Sequence, residues 1–239
     1  MSYYYYGNDN GGGRRGFMSD VPTVTKNLII INVLIFVATL VNENFMTATF
    51  ALFYPTSPYF HWWQIVTHMF MHGGFWHIFF NMYTLFIFGC VVERIIGPKK
   101  FLLFYFVCGF GAVALHFGVQ YFQMQSFMNS AALGSATAYA QVNALKMTPT
   151  VGASGAIYGV LLGYAMLFPE SKMTLLFPPI TLSAKWMVVV FAAIELLTGV
   201  TGWVSGVAHF AHLGGMLIGW LMILWWRKKG ILFDKDRIF

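Results

Sequence analysis

One serine in this sequence lies in a setting that could support nucleophilic chemistry. Ser154 stands in the octapeptide GASGAIYG, between small residues and at the start of the apolar run IYGVLLGYAMLF. The pattern is close to the G-x-S-x-G nucleophile elbow of α/β-hydrolases, but Ala156 stands where the second glycine would be. Any chemistry at Ser154 therefore depends on a base nearby and on the solvent around the serine.

Histidines elsewhere in the chain could supply that base. A serine hydroxyl becomes a good nucleophile when a neutral histidine removes its proton. His212 is the favoured candidate because it shares a helical face with two glycines, and His209, one turn earlier, is the other candidate. His77 and Asn81 are four residues apart, hence on one helical face, and could donate hydrogen bonds to an oxyanion.

Each of these residues also has a simpler structural interpretation. A membrane serine taken alone commonly bonds a carbonyl of its own helix, and a His–Asn pair can join two helices. His116 is predicted to be a histidine satisfied by its neighbours. Glu195 could orient a histidine as a third triad member, or it could pair locally. The catalytic interpretation gains weight because the serine, the histidine and the donor pair fall on three different apolar segments at one depth.

The composition is that of a membrane protein. Of the 239 residues, 58% are hydrophobic and only 9% are charged, whereas a soluble domain carries about 25% charged residues. The net charge is +6, but Lys and Arg occur in short clusters between apolar runs, so no nucleic-acid surface is predicted. Cys90 and Cys108 fall inside apolar segments, which indicates neither a disulfide framework nor a CxxC site.

Six apolar segments approach the roughly 20 residues that a membrane-spanning helix needs. They are residues 27–46, 74–96, 101–122, 154–170, 184–202 and 206–226. The predicted fold is thus an all-α membrane protein with a bundle of six transmembrane helices. Residues 1–25 are predicted to be a disordered Gly/Tyr-rich tail, 26–229 the membrane domain and 230–239 a short tail, and 123–153 is a moderately polar stretch.

The distribution of cations predicts the orientation in the membrane. If the N-terminus is cytoplasmic, the outer segments contain Lys146 alone, and every other Lys and Arg is on the inner side. Both termini are therefore predicted to be cytoplasmic. Ser154 and His212 then lie at comparable depth, near the outer face.

The spacing of the glycines predicts how the serine and histidine side chains could come into contact. Two helical stripes are present: Gly155, Gly159 and Gly163 on the fourth segment, and Gly215 and Gly219 on the sixth. Such spacing lets two helix backbones approach closely in lipid. A close crossing of these segments would bring the Ser154 hydroxyl and the His212 imidazole together.

Four motifs, in this order, resemble those of rhomboid intramembrane serine proteases. They are HMFMHGGFWHIFFNM, VVERIIGPKKF, GASGAIYG and AHFAHLGGMLIGW, within about residues 27–226. The resemblance implies a six-span fold in which Ser154 is the nucleophile, His212 the base, and His77 and Asn81 the oxyanion donors.

The resemblance also implies supporting positions. Tyr158 would stack on the catalytic imidazole, Gly152 belongs to the serine motif, and His72 would be structural. Glu93 and Arg94 match a motif that braces the scaffold. The sequence departs from the family at Trp63-Gln64, where a tryptophan–arginine pair is common, so the bracing role of that arginine is unsupported.

The implied function is hydrolysis of peptide bonds in or beside transmembrane segments of other membrane proteins, in the plasma (inner) membrane, with the site open to the outer side. The lipid bilayer and protein substrates are the expected partners, with no cofactor or metal; no oligomeric state is indicated. Four residues of the first loop and the start of the second span are expected to line a wet cavity: His61, Gln64, His68 and His72.

Three rival functions are also compatible with parts of the sequence. A non-catalytic relative could bind membrane segments, but such relatives typically lack the serine or the histidine. The clustered histidines could hold a metal or haem, yet no H-E-x-x-H motif is present. Glu195 could belong to a proton-coupled transporter, but no inverted repeat with paired broken helices is visible.

Overall fold

The computed structural model describes residues 20–175, 179–203 and 208–233, and these are largely helical. The helices are α1 (Thr23–Val41), α2 (Glu43–Phe50), α3 (Gln64–Thr67), α4 (Phe75–Thr84), α5 (Cys90–Ile96), α6 (Pro98–Ala132), α7 (Ala136–Met147), α8 (Ser154–Leu167), α9 (Ala184–Thr201) and α10 (His209–Lys228). A π-helical turn, Leu85–Gly89, joins α4 to α5. Strands β1 (Lys172–Thr174) and β2 (Thr181–Ser183) form a small antiparallel hairpin. Most of the predicted N-terminal tail and the end of the C-terminal tail lie outside the described residues.

Five of the described helices are long and apolar enough to cross a membrane. They are Thr23–Val41, Phe75–Ile96, Pro98–Ala132, Ala184–Thr201 and His209–Lys228. Large apolar side chains remain exposed on these helices, including Leu34 at 63% and Trp76 at 67%. Exposed apolar surface of this kind is expected where helices face lipid. The chain is therefore a multi-pass, all-α membrane protein.

The fourth predicted span is shorter than the sequence indicated. Helix α8 has 14 residues, about 21 Å of helix at 1.5 Å per residue, against a bilayer core of about 30 Å. It begins at Ser154 and is apolar on nearly every side, with Val160 completely buried. Helix α8 is thus a central element that other helices surround.

The polar stretch 123–153 is largely helical, not a simple loop. Helix α6 continues to Ala132, and α7 begins after Ser135, whose hydroxyl accepts a hydrogen bond from the Ala138 backbone N–H. Hydropathy does not indicate these helices, because residues 123–153 are moderately polar and hydropathy marks only apolar runs. The third predicted span, 101–122, is therefore only the middle of a 35-residue helix.

Helices α8 and α10 cross with their backbones in contact, as the glycine spacing predicted. A Cβ atom on Gly215 would lie 1.8 Å from the Gly155 carbonyl oxygen, and one on Gly219 would lie 3.1 Å from that of Gly159. Gly163, by contrast, faces the Phe104 ring of α6. The predicted close crossing is confirmed, and no larger residue fits at its centre.

Glu93 fixes the start of α1 from the end of the second membrane-spanning helix. Its carboxylate accepts hydrogen bonds from the backbone N–H groups of Val24 at 3.0 Å and Thr25 at 2.7 Å, and from the Thr25 hydroxyl. The neighbouring Arg94 donates to the Asp20 carbonyl. A carboxylate suits a helix N-terminus because the first N–H groups there lack partners. The bracing role implied for this pair is confirmed.

Gln64 organises the first loop from inside. Its side chain is completely buried, and its amide nitrogen donates to the Tyr59 carbonyl at 2.8 Å while its oxygen accepts from the His61 N–H at 3.1 Å. Further bonds reach the backbone at Ala48, Thr49 and Phe53. A neutral amide therefore braces this loop at the position where the family commonly has arginine.

Candidate active site

Ser154 is the first residue of α8, and the loop before it is fixed at several points. Thr150 pairs with Leu52 of the first loop through two backbone hydrogen bonds, and the Gly152 N–H donates to the His68 carbonyl. Gly152 has a φ of 132°, a conformation that favours glycine. A Cβ there would lie 2.9 Å from His77 Nε2 and 3.4 Å from Ser154 Oγ, so both side chains face one point.

The α8–α10 crossing brings Ser154 and His212 into direct contact. Ser154 Oγ lies 2.7 Å from His212 Nε2. The Tyr158 ring, one turn along α8, stacks on the imidazole with centroids 4.3 Å apart and planes 4° from parallel. His212 is 8% exposed, so its ring is held between the tyrosine face and the serine hydroxyl. Tyr158 therefore stacks on His212 in the structure.

A buried carboxylate lies on the other side of the imidazole. Glu195 of α9 has its Oε1 2.9 Å from His212 Nδ1, an ion-pair distance without hydrogen-bond geometry. The Tyr158 hydroxyl donates to the same oxygen at 2.5 Å. His209 Nδ1 is 2.6 Å from Oε2. Of the two candidate bases, His212 contacts both the serine and the carboxylate, and His209 contacts the carboxylate.

The predicted oxyanion donors lie along α4. His77 is in its first turn, with Nε2 facing the point shared with Ser154, and Asn81 follows one turn later. Asn81 is buried, and its Nδ2 has no hydrogen-bond partner among the described residues. The His72 ring packs edge-on against His77 at 5.0 Å. Burial, with His77 as a second cause, lowers the pKa of His72 to about 3, so the ring is neutral.

A small cavity adjoins the serine. It has a volume of about 20 Å³ and is lined by Ser154, Gly152, Thr150 and His68, among others. Burial lowers the pKa of His68 to about 4. A larger cavity of about 720 Å³ lies outside it, against His77, His116 and the α6–α7 pair. Within it the His116 Nε2 contacts the Thr150 hydroxyl at 3.1 Å, which confirms the prediction that His116 is satisfied.

The predicted composition of the wet cavity was mostly wrong. His68 lines the small cavity, but His61 stacks on Trp63 in the exposed part of the loop and Gln64 points into the loop backbone. Sequence spacing placed these residues near one face but could not give their side-chain directions. Thr150 was missed, and its polar side chain so close to GASG was the available signal.

The histidines do not converge as metal ligands in the part of the chain that the structure describes. Among the described residues, no group of three or more His, Cys, Asp and Glu side chains has an arrangement that could hold a metal ion. Instead, His77 packs against the His72 ring and His209 contacts the Glu195 carboxylate. His212 contacts the Ser154 hydroxyl.

Known proteins resemble this chain over the same region. Residues 59–229 match the family described as Rhomboid domain. Rhomboid protease AarA of Providencia stuartii is 32% identical over 67% of this chain and 54% of its own length. Rhomboid protein 1, mitochondrial, of Saccharomyces cerevisiae is 28% identical over 73% of this chain and 44% of its own length. Putative rhomboid protease YdcA of Bacillus subtilis is 26% identical over 68% of this chain and 68% of its own length.

The chain thus spans about half the length of the first of these relatives and less of the yeast protein. The family match nevertheless covers most of this chain, including every helix that contributes to the site. The order of the motifs, the contact between Ser154 and His212 and the similarity to named rhomboid proteases all agree. The chain belongs to the rhomboid family.

Proposed function

We propose that this protein is an intramembrane serine endopeptidase that cleaves transmembrane segments of other membrane proteins. The observation that carries the proposal is the 2.7 Å contact between Ser154 Oγ and His212 Nε2 at the buried α8–α10 crossing. A serine hydroxyl and an imidazole at this distance form a nucleophile–base pair. Relatives named rhomboid proteases support the same reaction class.

The reaction begins with transfer of the Ser154 Oγ proton to His212 Nε2 while Oγ bonds to the scissile carbonyl carbon. Collapse of the tetrahedral intermediate breaks the C–N bond, and Nε2 gives its proton to the leaving amine. Water then attacks the acyl-enzyme with His212 again as base, which releases the new carboxyl group and restores the serine. Both half-reactions use the same two side chains.

His77 and Asn81 are the proposed donors to the oxyanion. His77 Nε2 faces the space beside Ser154 Oγ, and the Asn81 amide N–H₂ is buried without a partner among the described residues. A buried donor without a partner is unfavourable unless a ligand or water satisfies it. The negative oxygen of the tetrahedral intermediate is such a ligand.

Hydrolysis inside a membrane also needs water. The 20 Å³ cavity against Ser154 has room for about one water molecule, and Thr150 and His68 provide polar partners. The 720 Å³ cavity next to it extends towards the α6–α7 pair, and its mainly apolar wall carries the polar side chains of Gln120, Gln123 and Gln141. We infer that these two spaces deliver the hydrolytic water from the outer side.

The substrate must be unwound at the cleavage site. A helical peptide carbonyl is shielded by its own hydrogen bonds, so segments with glycine, proline or other helix-weakening residues are the preferred substrates. The small residues around Ser154 favour a small side chain at the cleaved position. No charged residue lines either cavity among the described residues.

The proposed topology has six spans, with α8 as the short central one, and both termini in the cytoplasm of a cell whose plasma (inner) membrane holds the protein. Nearly all Lys and Arg residues then lie on the cytoplasmic side. Ser154, at the start of α8, opens towards the outer side. No cofactor or metal takes part in the proposed mechanism.

Activity labelling tests the proposed function directly. A fluorophosphonate probe should label the purified protein in detergent at Ser154, and the protein should cleave transmembrane segments that contain glycine. Ser154→Ala should lose both properties, with a fall in turnover on the order of 10⁴ to 10⁶. Wild-type protein that neither labels nor cleaves, while Ser154→Ala binds the same segments equally well, would establish the non-catalytic binding function instead.

A further inference from the structure

Glu195 is a buried acid that the Ser154–His212 mechanism does not use. It lies on membrane-spanning helix α9 and is 6% exposed. A carboxylate at this depth is unfavourable unless its oxygens are satisfied. Here Tyr158 and His212 lie at Oε1 and His209 lies at Oε2, at 2.5, 2.9 and 2.6 Å. Three groups able to donate hydrogen bonds therefore surround one acid beside the reacting pair.

We propose that Glu195 is a positioning residue that completes a Ser154–His212–Glu195 unit. The proposal rests on the proposed function, since it assigns a role within that reaction. Helix α9 thereby contributes to catalysis, together with α4, α8 and α10.

The position of Glu195 determines which imidazole nitrogen carries the proton. A carboxylate next to Nδ1 favours the tautomer with the proton on that nitrogen, which leaves Nε2 as an acceptor for the Ser154 hydroxyl. When Nε2 takes the serine proton, the imidazolium charge lies 2.9 Å from Glu195 Oε1. The carboxylate stays ionised throughout and stabilises that charge, more strongly than in water because the site is buried.

Two further contacts hold the carboxylate in place. The Tyr158 hydroxyl donates to Oε1 while its ring stacks on His212, so one side chain orients both the acid and the base. His209, one turn before His212 on α10, holds Oε2. The acid is thus tied to the two helices that carry the serine and the histidine. A residue that merely joined α9 to α10 would need only the His209 contact.

The test compares Glu195→Gln with Glu195→Asp in the full chain in detergent. Glutamine keeps the shape but removes the charge. We expect kcat for a glycine-containing transmembrane substrate to fall on the order of 10² to 10⁴ with little change in KM. Aspartate should restore part of the loss. Glu170→Gln is the matched control, because Glu170 forms an exposed ion pair with Lys185 outside the site, and it should leave kcat unchanged.

The pH dependence of fluorophosphonate labelling separates positioning from a structural role. In Glu195→Gln the pH midpoint of labelling should move to lower pH, because the protonated imidazole has lost its neighbouring anion. A reduced activity with an unchanged midpoint and a lower unfolding temperature would make Glu195 structural and overturn the proposal. Normal kcat in Glu195→Gln, with Ser154→Ala inactive, would also overturn it and would leave the proposed function intact.

His209→Ala gives a second test if the Glu195 variants fold poorly. This substitution removes one contact to the Glu195 carboxylate but keeps the acid, so kcat should fall on the order of 10-fold. The pH midpoint of fluorophosphonate labelling should move in the same direction as in Glu195→Gln, by a smaller amount. An unchanged midpoint in a folded His209→Ala protein would contradict the proposed unit. Failure of wild-type protein to label at all would instead refute the proposed function.

Discussion

His209 and His212 lie one turn apart on α10 and both contact the Glu195 carboxylate, but His212 also contacts Ser154. His212 Nε2 faces the serine hydroxyl at 2.7 Å, whereas His209 Nδ1 is 2.6 Å from the Glu195 carboxylate. We therefore expect His212→Ala to lose on the order of 10⁴ to 10⁶ in turnover, about as much as Ser154→Ala and without additivity. His209→Ala should lose only on the order of 10-fold in turnover and so remain clearly active. Peptide cleavage by the three variants measures this, and an inactive His209→Ala beside an active His212→Ala would reverse the assignment of the base.

Substitution of Asn81 tests whether its side-chain amide donates a hydrogen bond to the oxyanion. Its Nδ2 is buried and without a partner among the described residues, so Asn81→Ala removes a donor without breaking a visible hydrogen bond. Turnover should fall about 10² to 10³ if one oxyanion donor is lost, while Ser154 still reacts with a fluorophosphonate. Asn42→Ala is the matched control, since Asn42 caps α2 away from the site. Full turnover in Asn81→Ala would exclude it as a donor.

The buried neutral histidines make stability depend on pH. Burial lowers the pKa of His68 to about 4 and that of His72 to about 3, from an unfolded value near 6.5. Between these values the unfolded state binds more protons, so stability falls as pH falls from about 6.5 towards 3, by up to about 1.4 kcal/mol per pH unit for each histidine. The free energy of unfolding in detergent should therefore depend less steeply on pH in His72→Phe than in the wild-type protein. An equal pH dependence in the two proteins would contradict the prediction.

The α8–α10 crossing is the element contact on which the site depends. A Cβ on Gly215 would lie 1.8 Å from the Gly155 carbonyl oxygen, so Gly215→Ala must separate the two backbones and with them Ser154 and His212. We expect destabilisation of about 1–3 kcal/mol or more, together with loss of fluorophosphonate labelling. Gly118→Ala on α6 is the control, because a Cβ there meets nothing within 4 Å. Normal labelling in Gly215→Ala would show that the crossing can relax.

The sequence predicted the membrane-spanning helices, which apolar runs mark, and the helix crossing, which small residues permit. The glycine stripes gave the pairing of α8 with α10, and the apolar runs gave the membrane helices within a few residues at most ends. Hydropathy could not predict the extension of α6 to Ala132 or helix α7, because residues 123–147 are less apolar than the predicted spans. Nor could it assign the partners of Glu195 and Gln64. Their contacts reach distant or irregular backbone and depend on side-chain directions that spacing does not contain.

At the scale of the whole molecule, the site serves substrates only if it opens to the side from which they arrive. The cation distribution predicts that α7 lies on the outer side and that the turn before α6 lies in the cytoplasm. Two exposed positions report on these sides, Asn143 in α7 and Lys99 at the start of α6. The native Cys90 and Cys108 are buried and give little background.

We expect Asn143→Cys to react with a membrane-impermeant thiol reagent added to intact cells, because both the reagent and α7 are then outside. Lys99→Cys should react only after the cells are permeabilised, and labelling after permeabilisation controls for accessibility at both positions. Activity retained by each variant would establish that the labelled protein is correctly folded. The reverse pattern, with Lys99→Cys labelled in intact cells and Asn143→Cys protected, would invert the topology. It would place Ser154 and its two cavities on the cytoplasmic side, so that substrates and water would have to enter from there.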